Sequence, residues 1–176
     1  MGLVMVADPK QAAHETRVVE AALRCIGRWG TAKTTIDDIA REAGCSRATI
    51  YRIFAGGKEA VFDAVARAEV ARFFGGLADR IEPAETLEDV LVASITEAGQ
   101  RIRDHAALQF LLAYEPEIIV PHLAFSKAEE VLGFASAFAA PYLERWLEPA
   151  DALRAGEWAA RIVLSYATCP TTDVDL

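Results

Sequence analysis

From residue 10 onward the apolar positions recur at three- and four-residue spacing, the period of a helix that turns one face to a core. Over 10–29 those positions are Val19, Leu23 and Ile26, and Gly30 follows where a helix closes on a glycine cap. The stretch 35–54, TIDDIAREAGCSRATIYRIF, carries the densest run of signals. Ile36, Ile39, Ala40 and Ala43 form a short apolar face behind Thr35, whose hydroxyl, with Asp38 three residues on, predicts an N-cap. Gly44 accepts the left-handed backbone that ends this helix of about two turns, and Ser46 offers the cap of the next. Along that next helix Ile50 and Phe54 point inward, leaving Arg47, Thr49, Tyr51 and Arg52 on other faces.

The same periodicity continues to the end of the chain. Positions 58–74 predict a helix with Val61, Phe62, Val65 and Ala68 inward, and Gly75-Gly76 predict a kink in it. Lys58 stands in its first turn, where the macrodipole disfavours a cation, so a shared phosphate explains it better than a structural role. Thr86, with Asp89 three on, caps a helix whose stripe is Leu87, Val90, Leu91, Ser94, Ile95, Ala98 and Ile102. A short helix is predicted over 108–114, and Pro116 and Pro121 bracket a shorter element. Ser126, with Glu129, caps a long helix expected to reach Trp146 with a kink at Pro141. A last helix opens at Asp151, runs to Ala167 and carries Trp158, Ile162 and Tyr166 at four-residue steps. No strand alternation or internal repeat appears, and the fold class is all-α.

Two short helices joined by a tight glycine turn, the second exposing Arg, Thr and Tyr, match the helix-turn-helix arrangement that places side chains against base edges and phosphates. At these residues the chain resembles the N-terminal domain of TetR-family transcriptional regulators. The resemblance rests on Ile39-Ala40, Gly44-Cys45-Ser46, Thr49-Ile50-Tyr51, Phe54 and Lys58-Glu59, within TTIDDIAREAGCSRATIYRIF and GKEAVF, and covers about 17–62. Cys45 stands where the family usually has Val, Ile53 where a polar or aromatic residue is common, and Gly56-Gly57 adds one residue before Lys58. Carried over by position, Ser46, Arg47, Thr49 and Arg52 would face the groove of a double-stranded DNA operator, while Thr35, Tyr51 and Lys58 would hold its backbone.

Charge supports that division of labour. The chain of 176 residues has a net charge of −8, yet residues 1–58 hold nine Lys and Arg against six Asp and Glu, a net of +3, which leaves −11 for the remainder. An acidic remainder keeps the rest of the chain off DNA and steers the basic end toward it. Hydrophobic residues make up 53%, but the longest uncharged run, 131–143, is short of the roughly 20 apolar residues that span a bilayer. With no targeting pattern at the N-terminus, a cytoplasmic location is expected. Cys25, Cys45 and Cys169 are scattered and odd in number, and suggest neither a disulfide framework nor a zinc site.

The domain organisation that follows is a disordered leader over 1–9, a three-helix helix-turn-helix DNA-binding domain over 10–58, a connecting helix over 59–76, and a helical ligand-binding and dimerisation domain over 77–176. In that last domain Phe110, Tyr114, Phe125, Phe134, Phe138 and Tyr142 concentrate, a set suited to lining an apolar ligand cavity. Arg101, Arg103, His105 and His122 are the polar anchors such a cavity would use, with Arg103 foremost. The histidines lack partners at coordinating spacing, so neither a metal nor a cofactor is implied. Nor does any nucleophile elbow, P-loop or HExxH occur, which argues against an enzyme.

The family resemblance further implies a homodimer joined through its last two helices, with Trp158, Ile162 and Tyr166 as its aromatic and aliphatic anchors. The chain's end at Leu176 puts the second of those helices in question. The expected function is a transcriptional repressor released by a small apolar effector. Two alternatives stand beside it: an effector-independent DNA-binding architectural or partner protein, and a redox sensor using Cys45 with Arg47 or Arg41 as thiolate-promoting neighbour.

Overall fold

A computed structural model describes residues 9–118 and 126–168, and every regular element among them is a helix. Backbone proximity divides the chain into two compact units, Met1–Val70 and Ala71–Leu176. The first unit holds α1 (Pro9–Lys33), α2 (Ile36–Ala43), α3 (Arg47–Ile53) and the opening turns of α4 (Gly57–Ile81). The second holds the end of α4 with α5 (Leu87–Asp104), α6 (Ala106–Tyr114), α7 (Ser126–Leu143) and α8 (Pro149–Thr168). Phe125, His122 and Cys169 lie outside the described residues.

In the first unit α1 buries Val18, Ala21, Ala22, Cys25 and Ile26, α2 buries Ile39 and Ala40, and α3 buries Ile50. From α4 come Val61, Ala64 and Val65. Gly30 breaks α1 as expected, at φ 78°, but helical geometry resumes and runs on to Lys33. Thr34 closes this corner: it is fully buried, and its hydroxyl donates to the Gly30 carbonyl at 2.6 Å. Across the surface Glu42 of α2 accepts from Arg24 Nε at 2.6 Å and Arg28 Nη1 at 3.5 Å, tying α2 to α1. The Arg24 hydrogen bond, first, holds the Glu42 carboxyl below the usual carboxylate range.

The second unit packs Leu77, Ile81, Val90, Ala98, Ala140, Leu143, Ala152 and Val163 into one core. α7 and α8 lie along each other, with α5 against α8. Here three expectations are corrected. α4 stays helical through Gly75 and Gly76 to Ile81, because Leu77 and Ile81 are anchored in the core beyond them and hold the helix on course. α7 ends at Leu143 rather than Trp146, two residues after Pro141, whose missing N–H weakens the last turn. His105 is no free anchor: its Nδ1 accepts the Leu108 N–H at 3.0 Å and caps α6. Among the described residues no helix is long and apolar enough to cross a membrane.

Candidate nucleic-acid interface

The local folding of 35–54 follows its capping residues. Thr35 accepts the Asp38 N–H at 3.2 Å, while its own N–H and hydroxyl donate to Asp38 Oδ2 at 3.2 Å and 2.5 Å. Those contacts complete a capping box and hold the Asp38 carboxyl below its ordinary range, the Thr35 hydroxyl contributing most. Gly44 ends α2 at φ 63° and ψ 40°, and its N–H bonds back to Arg41. Ser46 then starts α3: its Oγ accepts the Thr49 N–H at 3.1 Å and lies 3.0 Å from Thr49 Oγ1. Ile50, fully buried, and Phe54, 7% exposed, anchor α3 from below.

The seven residues expected to contact DNA fall into three groups. Ser46, Arg47 and Thr49 gather at the start of α3, where the two hydroxyls bond to each other and Thr49 is half-buried. Tyr51, 52% exposed, and Arg52 follow on the outer surface of α3. The Tyr51 ring rests against Gly57: a Cβ there would lie 3.1 Å from Tyr51 Cε1, and the glycine itself sits at φ 64°. Thr35 and Lys58 stand apart, Thr35 exposed at the start of α2 and Lys58 with its Nζ 5.2 Å from the centre of the Phe62 ring.

One acidic side chain belongs with these groups although its sequence position does not mark it. Asp37 Oδ1 lies 3.2 Å from Arg47 Nε, and its Oδ2 accepts from Arg47 Nη1 at 3.5 Å. Adjacent to the capping Asp38, it reads in sequence as a second helix-start carboxylate, and only the turn brings it to Arg47.

The residues expected to line a ligand site do not form one cluster. Phe110 and Tyr114 pair on α6 with ring centres 4.8 Å apart. Separately, Phe74 meets Phe134 at 4.8 Å and Phe138 at 4.7 Å, with Phe73 and Tyr142 at the two ends of the chain of rings. Tyr114 is 73% and Phe134 55% exposed, and Arg103 is exposed in the last turn of α5. Phe73 and Phe74 stood outside the expected set, although an adjacent Phe pair late in an amphipathic helix signals a ring cluster. An open groove of about 530 Å³ lies elsewhere, lined by Arg80, Glu85, Asp89, Val92, Thr96 and Glu97 among others.

On α8, Trp158 is 57% exposed, while Ile162 and Tyr166 are half-buried beside the inward row Ala152, Ala159 and Val163. The arginines offered as activators of Cys45 are both engaged by carboxylates, Arg47 by Asp37 and Arg41 by Asp38 at 3.3 Å. Cys25 is fully buried, which pushes its thiol up from its ordinary value. Among the described residues no cluster of His, Cys, Asp and Glu could hold a metal ion.

A capped helix, a left-handed glycine turn and a second helix with its anchor buried and its basic, hydroxyl-bearing side out define a helix-turn-helix DNA-binding protein. The family model for bacterial regulatory proteins of the tetR family matches residues 18–65. Over 161 residues the chain is 30% identical to an uncharacterised HTH-type transcriptional regulator of Mycobacterium tuberculosis (strain CDC 1551 / Oshkosh), covering 89% of this chain and 76% of that one. The corresponding regulator of strain H37Rv matches to the same extent. This chain belongs to the TetR family of transcriptional regulators. Its fold is shared by the TetR family repressor AlkX of Dietzia sp. strain DQ12-45-1b, implicated in biodegradation of n-alkanes, at a TM-score of 0.64, 23% identity, and 95% and 87% coverage of the two chains. It is shared likewise by the fatty acid degradation regulator FadR of Bacillus halodurans, at 0.64, 20% identity, and 93% and 84% coverage.

Proposed function

We propose that this regulator is a dimeric repressor that reads its operator through Ser46, Arg47, Thr49 and Arg52, holds the DNA backbone through Thr35, Tyr51 and Lys58, and is released by a small apolar effector. The observation that carries the reading is α3 itself: Ile50 and Phe54 fix it from beneath, while Arg47, Tyr51 and Arg52 are exposed above. A dimer presents two such helices, so the operator is near-palindromic, with half-sites about 34 to 36 Å apart or a multiple of that. Selection of bound duplexes from a randomised pool tests this, and an asymmetric site bound by a monomer refutes it. Arg47→Ala costs about 1 to 3 kcal/mol at particular base pairs, whereas Lys58→Ala weakens all sequences alike.

Dimerisation is assigned to the side of α8 bearing Trp158, Ile162 and Tyr166, because an exposed tryptophan beside partly covered apolar neighbours is the composition of an interface centre. The effector is assigned to the rings of Phe74, Phe134 and Phe138, an apolar surface left open at Phe134. Phe110 and Tyr114 then form a separate pair on α6, and Arg103 is exposed near the end of α5. An effector that binds equally to free and DNA-bound protein would release nothing, so operator DNA weakens effector binding by the factor by which effector weakens operator binding. Titrating each in the presence of the other checks the equality.

A further inference from the structure

The ion pair between Asp37 and Arg47 joins the first turn of α2 to the first turn of α3, across ten residues of sequence. Both side chains are open to solvent, Arg47 at 65% and Asp37 at 61%, so the pair contributes little to stability. A carboxylate on a surface that meets a polyanion also repels phosphate, which lowers affinity for every sequence. A carboxylate in the first turn of α2 suits the helix dipole, but that role does not require Arg47 as its partner. The contact itself suggests a further role. Two carboxylate oxygens within 3.2 Å and 3.5 Å of two guanidinium nitrogens fix the plane of the fork as well as its place.

We propose that Asp37 is a specificity-determining residue that holds the Arg47 guanidinium ready to donate to a guanine edge and keeps it from settling on phosphate. Guanine presents two acceptors, O6 and N7, to the major groove, and a guanidinium matches them only when its plane lies close to that of the base. An unrestrained arginine loses rotamer freedom on adopting that plane, whereas one already held by a carboxylate loses less. The same carboxylate opposes the commonest competing contact, because moving Arg47 to a phosphate separates the pair and leaves Asp37 facing the backbone. Specific binding thus gains while binding to arbitrary sequence falls. The inference rests on α3 entering the groove with Arg47 toward the bases.

The test uses the full chain, a duplex selected from a randomised pool, single-base-pair variants of that duplex, and one unrelated duplex of equal length, all at fixed salt. Arg47→Ala is expected to lose about five- to 150-fold discrimination at a G·C pair in each half-site. Asp37→Ala and Asp37→Asn are expected to lose discrimination at that same pair while binding the unrelated duplex as tightly as wild type or more tightly. In the Arg47→Ala background, adding Asp37→Ala is expected to change nothing at that pair. The proposal is overturned if the Asp37 variants weaken selected and unrelated duplexes alike, if they shift preference at a different base pair, or if their effect persists without Arg47. Should Arg47→Ala leave preference at every base pair unaltered, the reading of α3 fails as well, and that outcome is separate from the others. Asp37→Asn keeps the side chain's shape in the first turn of α2, so a loss confined to Asp37→Ala and accompanied by lower helicity marks a folding defect and overturns the assignment.

Discussion

The Arg101 guanidinium occupies the space beside Gly76 that a side chain at position 76 would need. Arg101 is half-buried, and its Nε lies 2.6 Å from Glu97 Oε1, although the N–H is not aimed along that line. Gly75, one residue earlier, has nothing within 4 Å of where its Cβ would stand. Of two neighbouring glycines in one continuous helix, Gly76 therefore has a packing reason that Gly75 lacks. Gly75→Ala is expected to stabilise the protein by about 0.5 to 1 kcal/mol, the helix-interior advantage of alanine over glycine. Gly76→Ala should gain less or lose, since it displaces Arg101 from Glu97. Urea unfolding of the two variants compares them directly, and equal gains would mean that Arg101 swings aside freely.

The helix-turn-helix unit should weaken in acid. Asp38 and Glu42 have carboxyls held below their ordinary values, by the Thr35 hydroxyl and by Arg24 respectively. A group whose folded value is depressed adds stability that is complete above its unfolded value, about pH 4, and vanishes as pH falls through the folded one. The melting temperature is thus expected to fall between about pH 5 and pH 2, with a smaller fall in Thr35→Ala, where Asp38 has lost its main partner. Identical pH profiles for the two proteins would remove Asp38 from the account.

Arg52 is exposed on α3, and among the described residues it has no ion pair of the kind that restrains Arg47. Read as a base contact, it adds nothing to the slope of log affinity against log salt, to which each phosphate contact contributes about −0.9. Arg52→Ala is expected to relax base preference and leave that slope unchanged, measured by fluorescence anisotropy on the selected duplex and its single-base-pair variants. A slope flattened by about 0.9 per protomer with base preference unchanged would move Arg52 to the DNA backbone.

Ile162→Glu places a carboxylate in the apolar side of α8 next to Trp158. The variant is expected to sediment as a monomer at micromolar concentration while keeping its helicity. A dimer that survives the change would move the interface to another surface.

Local signals are legible in the sequence wherever a side chain and its partner lie within one turn. Thr35 with Asp38, Ser46 with Thr49, and Thr86 with Asp89 all cap as their spacing indicates. Gly44 takes the left-handed backbone that its position demands. What the sequence conceals lies between distant residues. Gly75-Gly76 has the look of a kink because Leu77 and Ile81, fixed in a core built from α5, α7 and α8, carry the helix on past them. Asp37 has the look of a helix-start carboxylate and no more, because Arg47 stands ten positions away. The aromatic residues, close in sequence and expected together, instead divide between α6 and the Phe74 cluster, a partition that composition does not encode. His105 is hidden for a different reason: the side chains favoured at a helix start are Ser, Thr, Asp and Asn, and a histidine nitrogen takes their place seldom.

α7 and α8 touch almost backbone to backbone. A Cβ at Gly156 would come within 3.1 Å of the Ala139 methyl and 3.2 Å of the Ser136 Cα, and the Ser136 hydroxyl donates to the Leu153 carbonyl at 2.6 Å across the seam. Long side chains between two helices act as springs, because rotamers can change while the axes slide. At Gly156 no room is left for such a side chain, and the hydrogen bond fixes the register. At this crossing the pair is a girder rather than a hinge, and any surface built on its outer sides inherits a spacing set from within.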